Sequence, residues 1–122
     1  MHLMHSDTTE QIIGAAFEVH RVLGYGFLER VYQRAMQVEL QARRQTAAIE
    51  REIQVTYKGV EVGFYKADLL VNDCVIVELK VCKAYNSQDE AQLLNELKAT
   101  GIKVGLLINF GRTKVEFKRF VF

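Results

Sequence analysis

Two segments in the first third of the chain carry apolar residues at helical spacing. Asp7 with Glu10 three residues later is typical of a helix start, and Gly24-Tyr25-Gly26 interrupts the pattern before it resumes. The spacing predicts two helices, with apolar positions at Ile13, Ala16, Phe17, His20 and Leu23 in the first and at Leu28, Val31, Tyr32, Ala35 and Val38 in the second.

From about residue 49 the spacing of apolar residues changes from helical to alternating. Residues 49–57, 60–71 and 74–81 are predicted strands, separated by the turn signals Lys58-Gly59 and Asn72-Asp73. The third strand is rich in Val and Ile, which is typical of the centre of a sheet. Because the turns are short, we expect these three strands to form an antiparallel meander.

The last third of the chain predicts one more helix and two more strands. Ser87 and Glu90 form a capping box that opens a helix ending at Gly101, with Ala91, Leu94 and Leu97 facing inward. Strands follow at 103–109 and 115–122. A helical connection between the third and fourth strands predicts a right-handed crossover and a parallel pair. The fold class is therefore α/β, with a mixed β-sheet flanked by helices.

Composition indicates one soluble domain covering residues 1–122, because the chain is 49% hydrophobic and 25% charged. Its formal net charge of +1 gives no general attraction to nucleic acid, although a local basic patch is compatible with it. No apolar run approaches the ~20 residues that span a bilayer, so no membrane partner is expected. Cys74 and Cys82 fit no metal spacing and are expected to be free thiols in the cytoplasm.

The candidate chemistry lies on the second and third predicted strands. Side chains two apart on a strand share a face, so Glu78 and Lys80 project together. A hairpin centred on Asn72-Asp73 places Asp68 near Glu78. Two carboxylates repel each other unless a cation lies between them, and such oxygen ligands suit Mg²⁺ or Mn²⁺. The alternative is a surface ion pair between strands.

Glu-x-Lys occurs three times, and only its context separates the three copies. Glu96-Leu97-Lys98 falls in a helical pattern, where residues two apart do not share a face. Glu116-Phe117-Lys118 has no aspartate in the strand before it. The copy at Glu78 alone combines a central apolar strand with an upstream aspartate, and we expect Lys98 and Lys118 to have no role in function.

A second acidic residue of interest opens the second helix. Glu29 and Tyr32 lie three apart, on neighbouring positions of one helix face. A glutamate in a first helical turn is also favoured by the helix dipole, and spacing alone favours that explanation over a functional one.

Several motifs in order along the chain resemble a known family. They are Gly26-x-x-Glu29-x-x-Tyr32, Ala67-Asp68-Leu69-Leu70-Val71, Val77-Glu78-Leu79-Lys80, Ala91-Gln92-Leu93-Leu94-Asn95, and the segment from Gly105 to Gly111. This set is similar to the bacterial GxxExxY protein family, which is placed in the PD-(D/E)XK nuclease superfamily. The resemblance covers residues 12–120, and Ala67 stands where the superfamily's name has proline.

The resemblance implies an αβββαβ core of the restriction-endonuclease-like type and assigns roles to its residues. Asp68, Glu78 and the backbone carbonyl of Leu79 would bind the metal, and Glu29 would be an extra acidic ligand. Lys80 would orient or activate the attacking water. Tyr32 and Gln92 would support the site.

The function expected from this resemblance is Mg²⁺- or Mn²⁺-dependent hydrolysis of phosphodiesters in nucleic acid. Lys66, Lys83, Arg112 and Lys114 could hold the nucleic acid, although each is also explained as a solvated surface charge. The alternative is a nuclease-fold module with weak or no catalysis that binds nucleic acid or protein, and a homodimer could supply substrate contacts that so small a chain lacks. A third interpretation, a structural α/β domain with an accidental ion pair, predicts no effect of metal.

Overall fold

The computed structural model describes residues 4–84 and 86–122, and in these ranges the chain forms three helices and seven strands. The helices are α1 (Ser6–Leu23), α2 (Glu29–Ala42) and α3 (Ser87–Thr100). The strands are β1 (Ala47–Ile49), β2 (Glu52–Tyr57), β3 (Val60–Lys66), β4 (Leu69–Val71), β5 (Val75–Lys80), β6 (Val104–Asn109) and β7 (Glu116–Val121).

A mixed five-stranded sheet in the order β1-β4-β5-β6-β7 forms the centre of the fold. β5 and β6 are parallel, as the helical connection predicted, and the other pairs are antiparallel. α1 and α2 cover one face, where their apolar residues pack with Val75, Val77 and Leu79. On the other face Leu93 and Leu97 of α3 pack with Ile76. β5 is thus buried on both faces, as its apolar sequence predicted.

Two predicted strands are each divided in the structure. The predicted strand at 49–57 becomes β1 and β2, because Glu50 adopts a left-handed conformation (φ 51°) that turns the chain between them. The predicted strand at 60–71 becomes β3 and β4, which are separated at Ala67 and Asp68.

The antiparallel pairings predicted for the meander are confirmed, but the pairing of its first two strands is divided between two sheets. β2 and β3 pair with each other in a separate two-stranded sheet, and the antiparallel meander consists of β1, β4 and β5. The β2–β3 hairpin is an insertion in this meander. It packs against α3 through Ile53 and Tyr65, so its inner face completes the second layer of the core.

The tight turn between β4 and β5 is confirmed. Asn72 and Asp73 both have positive φ, at 52° and 56°, as in hairpin turns whose twist matches that of the strands, and the Cys74 amide donates to the Val71 carbonyl at 3.0 Å. The register that results pairs Leu69 with Val77 and Val71 with Val75. This register fixes which residues of the two strands face each other at the far end of the hairpin.

The buried faces of the helices overlap those predicted at Ala16, Tyr32 and Leu97 but are otherwise shifted around the helix axes. The buried apolar residues are Ile12, Ala15, Ala16 and Val19 in α1, Tyr32, Met36 and Leu40 in α2, and Leu93 and Leu97 in α3. α1 and α2 pack on each other as well as on the sheet, and several of the predicted core residues line an open apolar groove between them, including Leu23, Val31, Ala35 and Val38. α3 is capped by Asn86, whose side chain accepts from the Asp89 amide, and not by Ser87.

Among the described helices, none is both long and apolar enough to cross a membrane. His20 lies at the edge of the core, where its ring stacks on Phe110 at 6.3 Å and its Nε2 donates to the carbonyl of Arg112 at 2.8 Å. This agrees with its predicted place on the apolar face of α1.

Candidate metal centre

Asp68 and Glu78 meet where the β4–β5 hairpin opens. Continuing the register one step beyond the Leu69–Val77 pair places Asp68 opposite Glu78. The Asp68 amide donates to Glu78 Oε1 at 3.0 Å, and the Leu79 amide donates to Asp68 Oδ2 at 2.8 Å. Each carboxylate is thus held by a backbone amide of the other segment, and this exchange keeps the two acidic groups together.

The backbone of Leu79 is also directed toward Asp68. In an antiparallel pair a residue's N–H and C=O point to the same neighbouring strand. Because the Leu79 amide reaches the Asp68 carboxylate, its carbonyl lies on the same side of β5. β4 begins only at Leu69, so the chain beside Leu79 is outside the regular ladder. The Leu79 carbonyl therefore points to the side of the strand on which Asp68 lies.

Lys80 lies on the same face of β5 as Glu78. Alternation along the strand puts both on the side of Ile76, which packs toward α3, while Val77 and Leu79 face the opposite layer. The Lys80 Nζ is 3.6 Å from Asp89 Oδ1 in the first turn of α3. Asp89 was not among the predicted site residues, and only the packing of α3 on the sheet brings it here.

Glu29 begins α2 and lies near the pair without joining it. Burial is the largest cause of a raised pKa at Glu29, and the Asp68 carboxylate raises this pKa further. Lys80 opposes both effects. Within residues 4–84 and 86–122, no three His, Cys, Asp or Glu side chains are grouped closely enough to hold one ion together. Glu29 is a neighbour of the Asp68–Glu78 pair and not part of a preformed three-carboxylate group.

The electrostatics of the pair favour a positive charge between its carboxylates. Burial, followed by repulsion from Asp68, raises the pKa of Glu78 to about 8. Burial also raises the pKa of Asp68, against the opposing effects of the Leu79 amide and Lys80. For Lys80, burial lowers the pKa, but nearby carboxylates, led by Asp89 and Glu29, outweigh it and raise the pKa overall.

Gln33 supports the site from α2 and was missed by the sequence analysis. Its Nε2 donates to the carbonyl of Asp68 at 2.9 Å, and its side chain is buried. It lies four residues after Glu29, on the same helix face, which is the one signal that could have indicated it. The contact fixes the backbone of Asp68 from the helical layer.

Tyr32 anchors the connection between α1 and α2. Its hydroxyl donates to the carbonyl of Gly24 at 2.6 Å, and its buried ring stacks on Phe110 at 4.5 Å with an interplanar angle of 11°. Gly26, in the same connection, has φ 109°, a conformation that favours glycine. The Gly26-x-x-Glu29-x-x-Tyr32 motif thus describes a fixed turn that sets where α2 and Glu29 begin.

The α3 side of the site carries more polar groups than the sequence indicated. Gln92 lines a small cavity with Glu78, Lys80 and Glu96, the last of which is only 8% exposed. Burial raises the pKa of Glu96, and the nearby polar groups of Tyr65 and Gln92 oppose this effect only in part. Among the described residues, the Tyr65 hydroxyl and one Glu96 carboxylate oxygen are buried beside each other without a hydrogen bond of good geometry.

The predicted basic residues are only partly brought together. Lys83 and Arg112 meet at the end of the sheet, where Arg112 Nη1 donates to the Lys83 carbonyl at 3.2 Å. Lys114 lies in the same loop as Arg112, whereas Lys66 ends β3 on the inserted hairpin. All four are exposed.

Comparison with known proteins identifies the family. A model of the PD-(D/E)XK nuclease superfamily matches residues 6–120, so the chain belongs to that superfamily. Its expected αβββαβ core is present as α2, β1, β4, β5, α3 and β6. No curated protein matches the chain in sequence.

Two solved structures are similar to the chain. The crystal structure of SSO0001 matches with a TM-score of 0.55 and 18% identity, covering 96% of this chain and 58% of that one. An alkaline exonuclease (LHK-Exo) from Laribacter hongkongensis has a TM-score of 0.38 and 14% identity, covering 93% of this chain and 82% of that one. The first supports the fold.

Proposed function

We propose that the protein is a metal-dependent phosphodiester hydrolase that acts on nucleic acid. Membership of the nuclease superfamily supports the reaction class. The observation that carries the proposal is the interlocked pair of Asp68 and Glu78, whose carboxylates are held together by backbone amides although both are substantially buried.

The donor atoms at the pair fit a small hard cation. Asp68 and Glu78 provide carboxylate oxygens, and Leu79 provides a carbonyl on the same side. Mg²⁺ and Mn²⁺ prefer oxygen ligands, and Mg²⁺ commonly takes only one or two protein carboxylates and keeps several waters. A positive charge between the two buried carboxylates would reduce the repulsion that makes each of them costly to ionise. We therefore propose a Mg²⁺ or Mn²⁺ site at this pair, with Glu29 as an additional ligand.

The protein's own side chains would position the reactants and hold the site in shape. A divalent cation, when bound, would supply an activated water and polarise the phosphate. Lys80, on the same strand face as Glu78, would orient that water and balance the charge that develops on the phosphate. Gln33 holds the Asp68 backbone, and Tyr32 fixes the turn before Glu29. We also propose that the chain belongs to the GxxExxY group, because this motif coincides with the turn and helix start beside the pair.

A cleavage assay tests this function. Wild-type protein and the Glu78→Gln variant are incubated with single- and double-stranded DNA and RNA, each with Mg²⁺, with Mn²⁺ and with EDTA. We expect divalent-dependent cleavage by the wild type and none by Glu78→Gln, while Glu61→Gln, which changes an exposed glutamate of β3, remains active. Absence of cleavage of every substrate would leave the alternative, a nuclease-fold binding module.

A further inference from the structure

A shallow depression lies at one end of the sheet, next to the metal centre and distinct from it. Its volume is about 360 Å³, and Tyr25, Lys83, Gly111, Arg112 and Thr113 line it. These residues come from the α1–α2 connection, the segment after β5 and the loop after β6. We call this depression the Tyr25 pocket.

The walls of the Tyr25 pocket are fixed by a buried asparagine. Asn109 is fully buried, its Oδ1 accepts from the Cys82 amide at 3.1 Å, and its Nδ2 donates to the Cys82 carbonyl at 2.7 Å. Gly111 lies so close to Cys82 that a Cβ on it would be 2.3 Å from the Cys82 nitrogen. Only glycine allows this approach, and the two loops are therefore locked against each other.

Arg112 is held in position at the rim of this pocket. Its guanidinium donates to the Lys83 carbonyl at 3.2 Å and lies 3.8 Å from Glu116, while its own carbonyl accepts from His20 at 2.8 Å. The side chain nevertheless remains 53% exposed. A charged group that is both oriented and accessible can bind a ligand with little loss of side-chain freedom.

The Tyr25 pocket adjoins the elements that carry the metal centre. Lys83 follows Lys80 by three residues, so their Cα atoms are at most about 11 Å apart. Tyr25 precedes Glu29 by four residues, and Asn109 pairs with Lys80 in the parallel register. A linear polymer bound at the Asp68–Glu78 pair would therefore reach the Tyr25 pocket within a few of its monomer units.

The chemistry of the pocket matches that of an unpaired nucleotide. Tyr25 is 61% exposed, which leaves an aromatic surface free for stacking. Lys83 and Arg112 place positive charge beside it, with Lys114 in the same loop. Proteins that bind single strands combine such stacking surfaces with basic groups along the backbone. In a duplex the faces of the bases are covered by their neighbours and cannot stack on the protein.

We propose that the Tyr25 pocket binds one unpaired nucleotide of a single-stranded nucleic acid, with the base on Tyr25 and the phosphate at Lys83 and Arg112. This inference rests on the proposed function, because it supplies the substrate class of the neighbouring site at Asp68 and Glu78. It assigns to Tyr25 a role in selecting single strands over duplexes.

Binding in EDTA tests the inference without turnover. Fluorescence anisotropy measures the affinity for a labelled single-stranded oligonucleotide, as DNA and as RNA, and for a DNA duplex of the same length. The variants are Tyr25→Ala, Tyr25→Phe, Lys83→Ala and the matched control Tyr57→Ala, which removes an equally exposed tyrosine (62%) from the inserted hairpin. Circular dichroism and melting temperatures check that every variant is folded.

We expect Tyr25→Ala to weaken single-strand binding between about fivefold and a hundredfold, since this is the range that stacking on one aromatic side chain contributes. Tyr25→Phe should bind like wild type because it keeps the aromatic ring. Lys83→Ala should reduce the dependence of binding affinity on salt concentration by the amount expected for the loss of about one phosphate contact. Duplex affinity should not change in Tyr25→Ala. The DNA and RNA arms show which strand type is preferred.

The inference is overturned if Tyr25→Ala binds as tightly as Tyr57→Ala, if it loses duplex and single-strand affinity equally, or if the wild type binds no oligonucleotide. Its failure is distinct from failure of the proposed function, which is measured by metal-dependent cleavage and by Glu78→Gln. A protein that cleaves nucleic acid but shows no effect of Tyr25→Ala would retain the function and lose this pocket's role.

Discussion

Replacing Glu78 with glutamine should stabilise the protein at neutral and alkaline pH in the presence of EDTA. Burial and the neighbouring Asp68 raise the pKa of Glu78 from its ordinary value of 4.5 to about 8. The folded protein therefore favours the protonated carboxyl, whereas the unfolded chain ionises it above pH 4.5. Stability conferred by this group is fully present below pH 4.5, falls as pH rises, and is lost once pH exceeds about 8.

The size of the effect follows from the interval between the two pKa values. At pH 7 the unfolded chain has released a proton that the folded protein largely keeps, and each pH unit above 4.5 corresponds to about 1.4 kcal/mol. Compared with a neutral side chain, the ionisable carboxyl thus lowers the free energy of unfolding by about 3 kcal/mol at pH 7. Glutamine is neutral, has nearly the same shape, and can still accept from the Asp68 amide. For a chain of 122 residues this difference corresponds to roughly 10 °C in melting temperature.

Thermal unfolding followed by circular dichroism at pH 5 and pH 8 in EDTA measures this prediction. We expect Glu78→Gln to melt higher than wild type at pH 8 and the two to converge at pH 5. Glu61→Gln, at an exposed position of β3, should follow the wild type. Addition of Mg²⁺ at pH 8 should raise the melting temperature of the wild type and not that of Glu78→Gln. Equal or lower stability of Glu78→Gln at pH 8 would refute the electrostatic description of the site.

Three further predictions concern the lysines and Tyr32. Lys80→Met should abolish cleavage while Mg²⁺ affinity, measured by calorimetry, persists or rises because a positive neighbour of the cation is removed; a near-normal rate would exclude Lys80 from the mechanism. Lys98→Ala and Lys118→Ala should leave cleavage unchanged, and a loss of activity in either would show that the wrong Glu-x-Lys triplet was chosen. Tyr32→Phe removes the donor to the Gly24 carbonyl, so thermal melting should fall by roughly 4 °C, corresponding to about 1 kcal/mol; an unchanged melting temperature would argue against its anchoring role.

The features that the sequence alone determined depend on residues close together in the chain. The Asn72-Asp73 turn sets the β4–β5 hairpin, and the two-residue period of a strand puts Glu78 and Lys80 on one face. Both depend on interactions between residues at most about ten apart. The apolar character of β5 likewise indicated a central strand, because a strand buried on both faces needs no alternation.

Other features were decided only by tertiary structure, because they depend on contacts between distant parts of the chain. Nothing near Glu50 marks the turn that separates β1 from β2, and β1 is defined by pairing with β4 about twenty residues later. Gln33 reaches the Asp68 carbonyl across 35 positions. Asp89 meets Lys80 only because α3 packs across the sheet. Such pairs arise from the packing of whole elements, and neither spacing nor composition encodes them locally.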